Sequence, residues 1–241
     1  MLNFAKTDVG NVRKMNQDYY YVSEDGTINI LADGMGGYTG GEVASKLATE
    51  SAVKYLKEHF NKNNDYQKEE ILDIIKKAIE YANNEVYKKS KEIEELEQMG
   101  TTFEICLIYR NRAYIAHIGD SRIYRIRKGI MRRITKDHSY VQTLVEDGTI
   151  TKEQAEHHPE KNMLMKALGC EEKIEPDVMV KGFLKDDIIL ICSDGLTNMV
   201  PEEKIQEIIE TDFENSSDRL LKKAKENGGL DNITLIVIKE D

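Results

Sequence analysis

Ile28-Asn29-Ile30-Leu31-Ala32-Asp33-Gly34 is the stretch of the chain that decides its fold class. Two later stretches have the same form, because residues 113–118 run into Gly119-Asp120 and residues 188–192 run into Ser193-Asp194-Gly195. Short apolar runs rich in isoleucine predict buried strands, so each strand delivers one carboxylate to the rim of a sheet. An Asp-Gly pair is typical of a hairpin turn, but the first and third pairs precede helical patterns rather than strands. We therefore expect a β-rich core whose strand ends carry acidic side chains.

Strand and helix patterns alternate in blocks along the rest of the chain. Apolar residues recur every three or four positions in four segments, which predicts amphipathic helices at residues 41–60, 67–89, 201–209 and 217–227. Further strands are predicted at residues 2–7, 19–23, 102–109, 121–127, 130–134, 177–183 and 232–238. Antiparallel strands separated by helix pairs favour an α+β protein, a four-layer αββα sandwich of two antiparallel sheets flanked by helix pairs.

Composition narrows the classes of function. A length of 241 residues suits a single domain, which we place at residues 1–241. The net charge of −10 argues against nucleic acid as a partner, since that would require clustered Lys and Arg. The chain begins without a basic leader and contains no run of about 20 apolar residues, so we expect a cytoplasmic protein without membrane insertion.

Five aspartates are candidates for one acidic centre: Asp18, Asp33, Asp120, Asp194 and Asp231. If they converge, each pair about 4 Å apart costs roughly 4 kcal/mol at an effective dielectric of about 20. Hard divalent cations relieve such repulsion, and an all-oxygen ligand set selects Mg²⁺ or Mn²⁺ over metals that recruit His or Cys. Two such ions can activate a shared water for in-line attack on phosphorus. The residues therefore predict a multi-metal centre.

Six segments, in a fixed order, resemble the motifs of the bacterial metal-dependent protein phosphatases, the PPM family of type 2C. The segments are Thr7-Asp8-Val9-Gly10 with Arg13 and Asn16-Gln17-Asp18, Ala32-Asp33-Gly34-Met35-Gly36-Gly37, Met99-Gly100-Thr101-Thr102, Gly119-Asp120-Ser121-Arg122, Ser193-Asp194-Gly195-Leu196, and Gly229-Leu230-Asp231-Asn232-Ile233-Thr234. The resemblance covers residues 1–238. It implies a Ser/Thr protein phosphatase that acts on phosphorylated proteins, reverses a cognate bacterial Ser/Thr protein kinase and functions as a monomer.

The resemblance also implies a role for each site residue. A first Mn²⁺ or Mg²⁺ would be held by Asp33, Asp194 and Asp231. A second would be held by Asp18, Asp33 and the backbone oxygen of Gly34, and the water or hydroxide bridging the two ions would attack the phosphate. Asp120, with Asp194, would bind a third, weaker ion. Arg13 would bind the substrate phosphate, and Asn232 would orient Asp231 or a water on the metal.

Two features concern proton transfer and substrate access. Some family members carry a His, the proposed general acid, at the position of Met35, so a different donor is required here. Our hypothesis is a metal-bound water, with His138 as the one histidine to test. Residues 137–169 resemble the flap of the family, which lies beside the metal centre; the alternative is a plain surface insertion.

Two other functions compete with this interpretation. The glycines of residues 33–41 lie between a strand and a helix, as in nucleotide-binding loops, but Thr39 occupies the last glycine position of that fingerprint. A catalytically inactive relative that serves as a binding module would have lost a metal carboxylate, whereas all five are present.

Overall fold

Two antiparallel sheets form the centre of the computed structural model, which describes the backbone of residues 1–240 and the side chains of these residues except 37–39. The described strands are Leu2–Asp8 (β1), Asp18–Val22 (β2), Ile28–Met35 (β3), Gly100–Thr101 (β4), Phe103–Tyr109 (β5), Arg112–Ile118 (β6), Arg122–Arg127 (β7), Ile130–Arg133 (β8), Asp177–Gly182 (β9), Ile188–Cys192 (β10) and Ile233–Lys239 (β11). One sheet has the order β1-β11-β10-β7-β8, and the other has the order β2-β3-β5-β6-β9 with β4 on β3.

The helices are Gly37–His59 (α1), Lys68–Glu92 (α2), Tyr140–Glu146 (α3), Lys152–Glu156 (α4), Asp194–Thr197 (α5), Glu202–Thr211 (α6) and Ser216–Glu226 (α7). Helices α1 and α2 cover the outer face of one sheet, and α6 and α7 cover that of the other. A capping box defines the start of α2, because Gln67 and Glu70 satisfy each other's backbone N–H groups.

Three buried clusters correspond to the three interfaces of a four-layer αββα sandwich. One cluster joins α1 and α2 to the sheet that contains β5, and its members include Leu56, Ile75 and Phe103. A second joins α6 and α7 to the sheet that contains β11. The third lies between the sheets, where alternate residues of the strands point inward. The predicted fold class is confirmed.

The segments around the acidic residues differ from the sequence-based prediction in two places. Strand β3 continues through Asp33 to Met35, because β4 supplies hydrogen-bonding partners beyond the predicted end. Asp194 begins the short helix α5, which is absent from the predicted helices, and the carbonyl of Asp194 accepts a hydrogen bond from the backbone N–H of Asn198 at 2.8 Å. A local turn of this length leaves no periodic signal in the sequence.

Helix α1 begins at Gly37, four residues before the predicted start. The glycines that suggested a loop allow close packing: a Cβ on Gly41 would lie 2.7 Å from the carbonyl carbon of Gly34. Close contact with β3, not intrinsic propensity, therefore decides the conformation of this segment. Within residues 1–240, no helix has the length and apolar content needed to cross a bilayer.

Candidate metal centre

The register of β2 and β3 places two acidic residues opposite each other. Asp18 pairs with Asp33 across the antiparallel ladder, so both side chains lie on one face of the sheet. Ser193 donates its hydroxyl hydrogen to Oδ2 of Asp18 at 2.9 Å. The other oxygen of Asp18, Oδ1, is buried and makes no hydrogen bond within the described part of the chain. A buried carboxylate oxygen without a partner is costly, so a proton or a cation at this atom would stabilise the site.

All five predicted aspartates converge around Asp33. Burial raises the pKa of Asp33 well above its usual range, and the negative charges of the other four aspartates, Asp18, Asp194, Asp120 and Asp231, raise it further. Burial likewise raises the pKa of Asp18 to about 6 and that of Asp120 to about 8, with a further increase from Asp194 in both cases. The cluster therefore stabilises protons or cations, not free negative charge.

Threonines hold the backbone of Asp33 in place. The Asp33 N–H donates to Oγ1 of Thr102 at 3.0 Å, and the hydroxyl of Thr101 donates to the Asp33 carbonyl at 2.9 Å. A Cβ on Gly34 would lie 2.1 Å from the carbonyl oxygen of Gly41, so only glycine allows this approach of α1 to β3. The Asp-Gly pair thus has a packing requirement in addition to any role of the Gly34 carbonyl.

Gly195 brings Asp194 close to the last strand. A Cβ at this position would lie 1.9 Å from the carbonyl oxygen of Asn232, which no larger residue could tolerate. The side-chain amide of Asn198 donates to Oδ2 of Asp194 at 3.0 Å. Burial raises the pKa of Asp194, and the nearby charge of Asp231 adds to the effect.

Arg13 reaches the edge of the acidic cluster. Its Nη2 lies 2.7 Å from Oδ2 of Asp231, and 54% of its side chain remains exposed. The guanidinium can therefore contact a ligand from solution while it stays beside the carboxylates.

Asn232 anchors the loop that carries Arg13. Its side-chain oxygen accepts from the Gln17 N–H at 2.9 Å, and its Nδ2 donates to the carbonyls of Val9 and Met15 at 3.0 and 2.9 Å. Its backbone N–H donates to Oδ1 of Asp231 at 2.8 Å. The structure therefore connects Asn232 to Asp231 through its backbone, while the side chain fixes the loop.

The residues suit a cation by their chemistry. Among the described residues, no three His, Cys, Asp or Glu side chains already form a metal-ligand set. The fit depends on the unpartnered Oδ1 of Asp18 and on the cluster formed by Asp33 and the four other aspartates, which offers only oxygen. Mg²⁺ and Mn²⁺ are the ions that such donors prefer.

Residues 11–233 match the profile of a protein family described as protein phosphatase 2C. The chain belongs to this family. The serine/threonine phosphatase stp of Listeria monocytogenes is 39% identical over 242 residues, which cover 98% of this chain and 94% of that protein.

Solved structures of protein phosphatase 2C relatives agree with this assignment. The Mycobacterium tuberculosis serine/threonine phosphatase PstP/Ppp superposes with a TM-score of 0.89 at 36% identity, covering 100% of this chain and 98% of that one. The catalytic domain of PstP, solved in complex with two manganese ions, gives a TM-score of 0.86 at 35% identity, covering 98% and 96%. The chain is therefore a member of a metal-dependent family.

Several supporting residues were not predicted from the sequence. Ser193, Gln17 and Asn198 contact the site through side-chain or backbone atoms, although Ser193 and Gln17 stand directly beside predicted aspartates. Asp137 contributes to the raised pKa of Asp120 but lies in a polar stretch without a motif. Proximity in sequence to an aspartate was the one available signal, and it does not reveal which partner is contacted.

Proposed function

We propose that this protein phosphatase 2C member is a metal-dependent phosphatase that hydrolyses phosphoserine and phosphothreonine on other proteins, reversing a Ser/Thr protein kinase. The observation that carries this proposal is the convergence of four aspartates on Asp33, together with the unpartnered buried oxygen of Asp18. The serine/threonine phosphatase names of the relatives support the substrate class.

The aspartates divide into sets that share Asp33. Asp33, Asp194 and Asp231 hold a first Mn²⁺ or Mg²⁺, and Asp18, Asp33 and the Gly34 backbone oxygen hold a second. Asp120 and Asp194 hold a third, weaker ion. When bound, these ions supply an activated water and neutralise the charge of the phosphate. The contribution of the chain is to keep the carboxylates close despite their repulsion, through the hydrogen bonds to Thr101, Thr102 and Ser193.

Arg13 binds the phosphate of the substrate. Its planar guanidinium offers paired N–H donors to phosphate oxygens, and its exposure leaves it accessible. Met35 has no proton to give, and His138 contacts Gly119 rather than any of the five carboxylates. Water therefore supplies the proton to the leaving serine or threonine oxygen.

Residues 137–169 form the flap of a single domain of this family that spans residues 1–241. Both ends of the flap are tied to motif residues: the His138 N–H donates to the Gly119 carbonyl at 2.7 Å, and Leu168 exchanges backbone hydrogen bonds with Thr101 at 2.9 and 3.0 Å. These ties hold both ends of the segment beside the motif residues, which supports a role for the flap in contacting a phosphoprotein substrate. We place the protein in the cytoplasm as a monomer.

Hydrolysis assays test this function directly. The purified chain is expected to hydrolyse p-nitrophenyl phosphate and a phosphothreonine peptide when Mn²⁺ is added, and to stop when EDTA is added. Asp33→Ala, purified in parallel, serves as the control for contaminating phosphatases. A rate that survives both EDTA and Asp33→Ala contradicts the proposal.

A further inference from the structure

The turn that carries Asp120 is held by two hydrogen bonds from one residue, His138. The backbone N–H of His138 donates to the Gly119 carbonyl at 2.7 Å. The Gly119 N–H donates to the ring nitrogen Nδ1 of His138 at 3.1 Å. Both backbone groups of the residue before Asp120 are therefore bound to His138.

Gly119 adopts a conformation that depends on such support. Its φ is +109°, and a Cβ there would lie 2.6 Å from Cβ of Thr102. Ser121, on the other side of Asp120, shares a 2.8 Å hydrogen bond between its hydroxyl and that of Thr102. The Asp120 carboxylate is thus placed by contacts of its two neighbours, and His138 makes both backbone contacts to one of them.

The imidazole of His138 is itself oriented by its surroundings. It stacks on the ring of His117, with centroids 4.6 Å apart and planes at 28°. Its Nε2 lies 3.3 Å from Oδ2 of Asp177. Because Nδ1 accepts a hydrogen bond from the Gly119 N–H, the ring hydrogen belongs on Nε2, facing the Asp177 carboxylate.

A buried hydrogen-bonded pair, His117 and Glu104, fixes the ring on which His138 stacks. His117 Nδ1 lies 2.6 Å from Oε1 of Glu104, and His117 Nε2 lies 2.8 Å from the Lys136 carbonyl oxygen. Both side chains of this pair are fully buried in the described structure. His138 therefore stacks on an imidazole ring that two hydrogen bonds hold in place.

We propose that His138 is a positioning residue for Asp120, and that its Nδ1 keeps the carboxylate in the place where the third cation binds. The proposal rests on the proposed function for the identity of that cation. Asp120 is drawn into a cluster of like charges, so without the Gly119 contact the turn would relax away from the other aspartates. Loss of a residue that orients a metal ligand commonly lowers metal affinity by about 10- to 100-fold.

Two substitutions of His138 separate hydrogen bonding from packing. His138→Phe keeps an aromatic ring over His117 but removes the acceptor for the Gly119 N–H. His138→Asn loses the ring but can offer its side-chain oxygen near the position of Nδ1. His157→Phe is the matched control, because His157 is an exposed histidine of the same segment.

Mn²⁺ binding measured by electron paramagnetic resonance, together with amide hydrogen exchange of Gly119, provides readouts besides activity. We expect His138→Phe to lower the affinity for the third Mn²⁺ at least about 10-fold and to accelerate exchange of the Gly119 amide. Binding of the two tighter ions should be retained. His138→Asn should restore most of both properties, and His157→Phe should match the wild type.

Equal third-ion affinity and equal Gly119 exchange in wild type and His138→Phe would overturn the inference while leaving the phosphatase assignment intact. Wild-type chain that binds no Mn²⁺ would instead contradict the proposed function and the cation part of the inference together. If His138→Phe fails to fold, Asp177→Ala provides the test, since it frees the imidazole at Nε2 without changing the buried pair. It should weaken the third ion in the same direction by a smaller factor, and an unchanged affinity would count against the proposal.

Discussion

Two acidic sites, one at Asp137 and one at Asp33, differ in how their buried negative charge is balanced. Asp137 is paired with two arginines: Nη2 of Arg122 lies 2.9 Å from Oδ2, and the Arg133 guanidinium contacts Oδ1. Asp33 is surrounded by four other aspartates, and Arg13 is bound to Asp231 at the edge of the cluster.

This difference in charge balance indicates a different role for each site. The chain supplies its own cations where an aspartate is needed for structure, as at Asp137. Around Asp33 it supplies hydrogen-bond donors and glycines that force carboxylates together, but too few positive charges to balance them. Such an arrangement is destabilising while the carboxylates are ionised and becomes favourable when protons or cations from solution neutralise them.

Replacing Asp33 and replacing Asp137 by Asn should have opposite effects on the stability of the metal-free chain. The substitution at Asp33 should also have the largest effect on activity. Asp33→Asn should lower kcat by about 1,000-fold or more. It should raise the free energy of unfolding of the metal-free chain by about 1 kcal/mol, because a buried amide needs neither a proton nor a cation to be neutral among the other aspartates. Asp137→Asn should lower that free energy by about 2 kcal/mol, since it leaves two partly buried arginines unpaired.

Urea unfolding in EDTA at pH 8, paired with initial-rate assays in Mn²⁺, measures both quantities. As the control for a retained fold, each variant should give the same circular dichroism spectrum as the wild type. If Asp33→Asn destabilises the metal-free chain as much as Asp137→Asn does, the contrast between the two sites is wrong.

The acidic cluster should also give the metal-free chain an unusual dependence of stability on pH. Folding raises the pKa of Asp18 to about 6 and that of Asp120 to about 8, from an ordinary value of 3.8. The folded state therefore binds more protons than the unfolded state between about pH 4 and pH 8, so the free energy of unfolding falls as pH rises through this range. Asp18 and Asp120 both contribute to that fall, and because the aspartates interact it belongs to the cluster as a whole.

Saturating Mn²⁺ should suppress most of this fall, because bound cations stabilise the ionised carboxylates. Burial raises the pKa of Glu104 to about 7, but that residue is paired with His117 and not with the cluster, so its contribution should not change with Mn²⁺. Unfolding measured from pH 5 to pH 8, in EDTA and in Mn²⁺, isolates the cluster. Identical slopes in the two series would show that cations do not bind at these aspartates.

Arg13 offers the smallest and most specific test. Its ion pair with Asp231 is largely exposed, with 54% and 36% of the two side chains accessible, so Arg13→Ala should change stability by less than about 0.5 kcal/mol. KM for a phosphothreonine peptide should rise about 10-fold with kcat nearly unchanged, because the guanidinium binds the phosphate. Arg13→Lys keeps the charge without the paired donors, so its KM should lie between the values for the wild type and Arg13→Ala. A stability loss with unchanged KM would make Arg13 a neutralising residue like Arg122.

The sequence predicted the fold class, and it indicated the candidate acidic residues, for physical reasons that are local. Apolar strands followed by Asp-Gly identify Asp33 and Asp194, and helix periodicity identifies α2, α6 and α7 to within a few residues. These signals are contained in the spacing of neighbouring side chains, which tertiary contacts do not alter.

Features that depend on long-range contacts were not predictable. The opposition of Asp18 and Asp33 is set by the β2–β3 register, and the early start of α1 at Gly37 depends on its close packing against Gly34. The hydrogen bond from Ser193 to Asp18 joins residues 175 positions apart. Such contacts follow from the assembled sandwich, and no spacing within the chain encodes them.

The central claim is that distant aspartates are held together to bind divalent cations around Asp33. A crystal of the chain grown with Mn²⁺ and measured at the manganese absorption edge tests this most directly. The account predicts two strong anomalous peaks, one on each side of the Asp33 carboxylate, with Asp18 contacting one ion and both Asp194 and Asp231 contacting the other. A map without an anomalous peak in contact with Asp33 would contradict it.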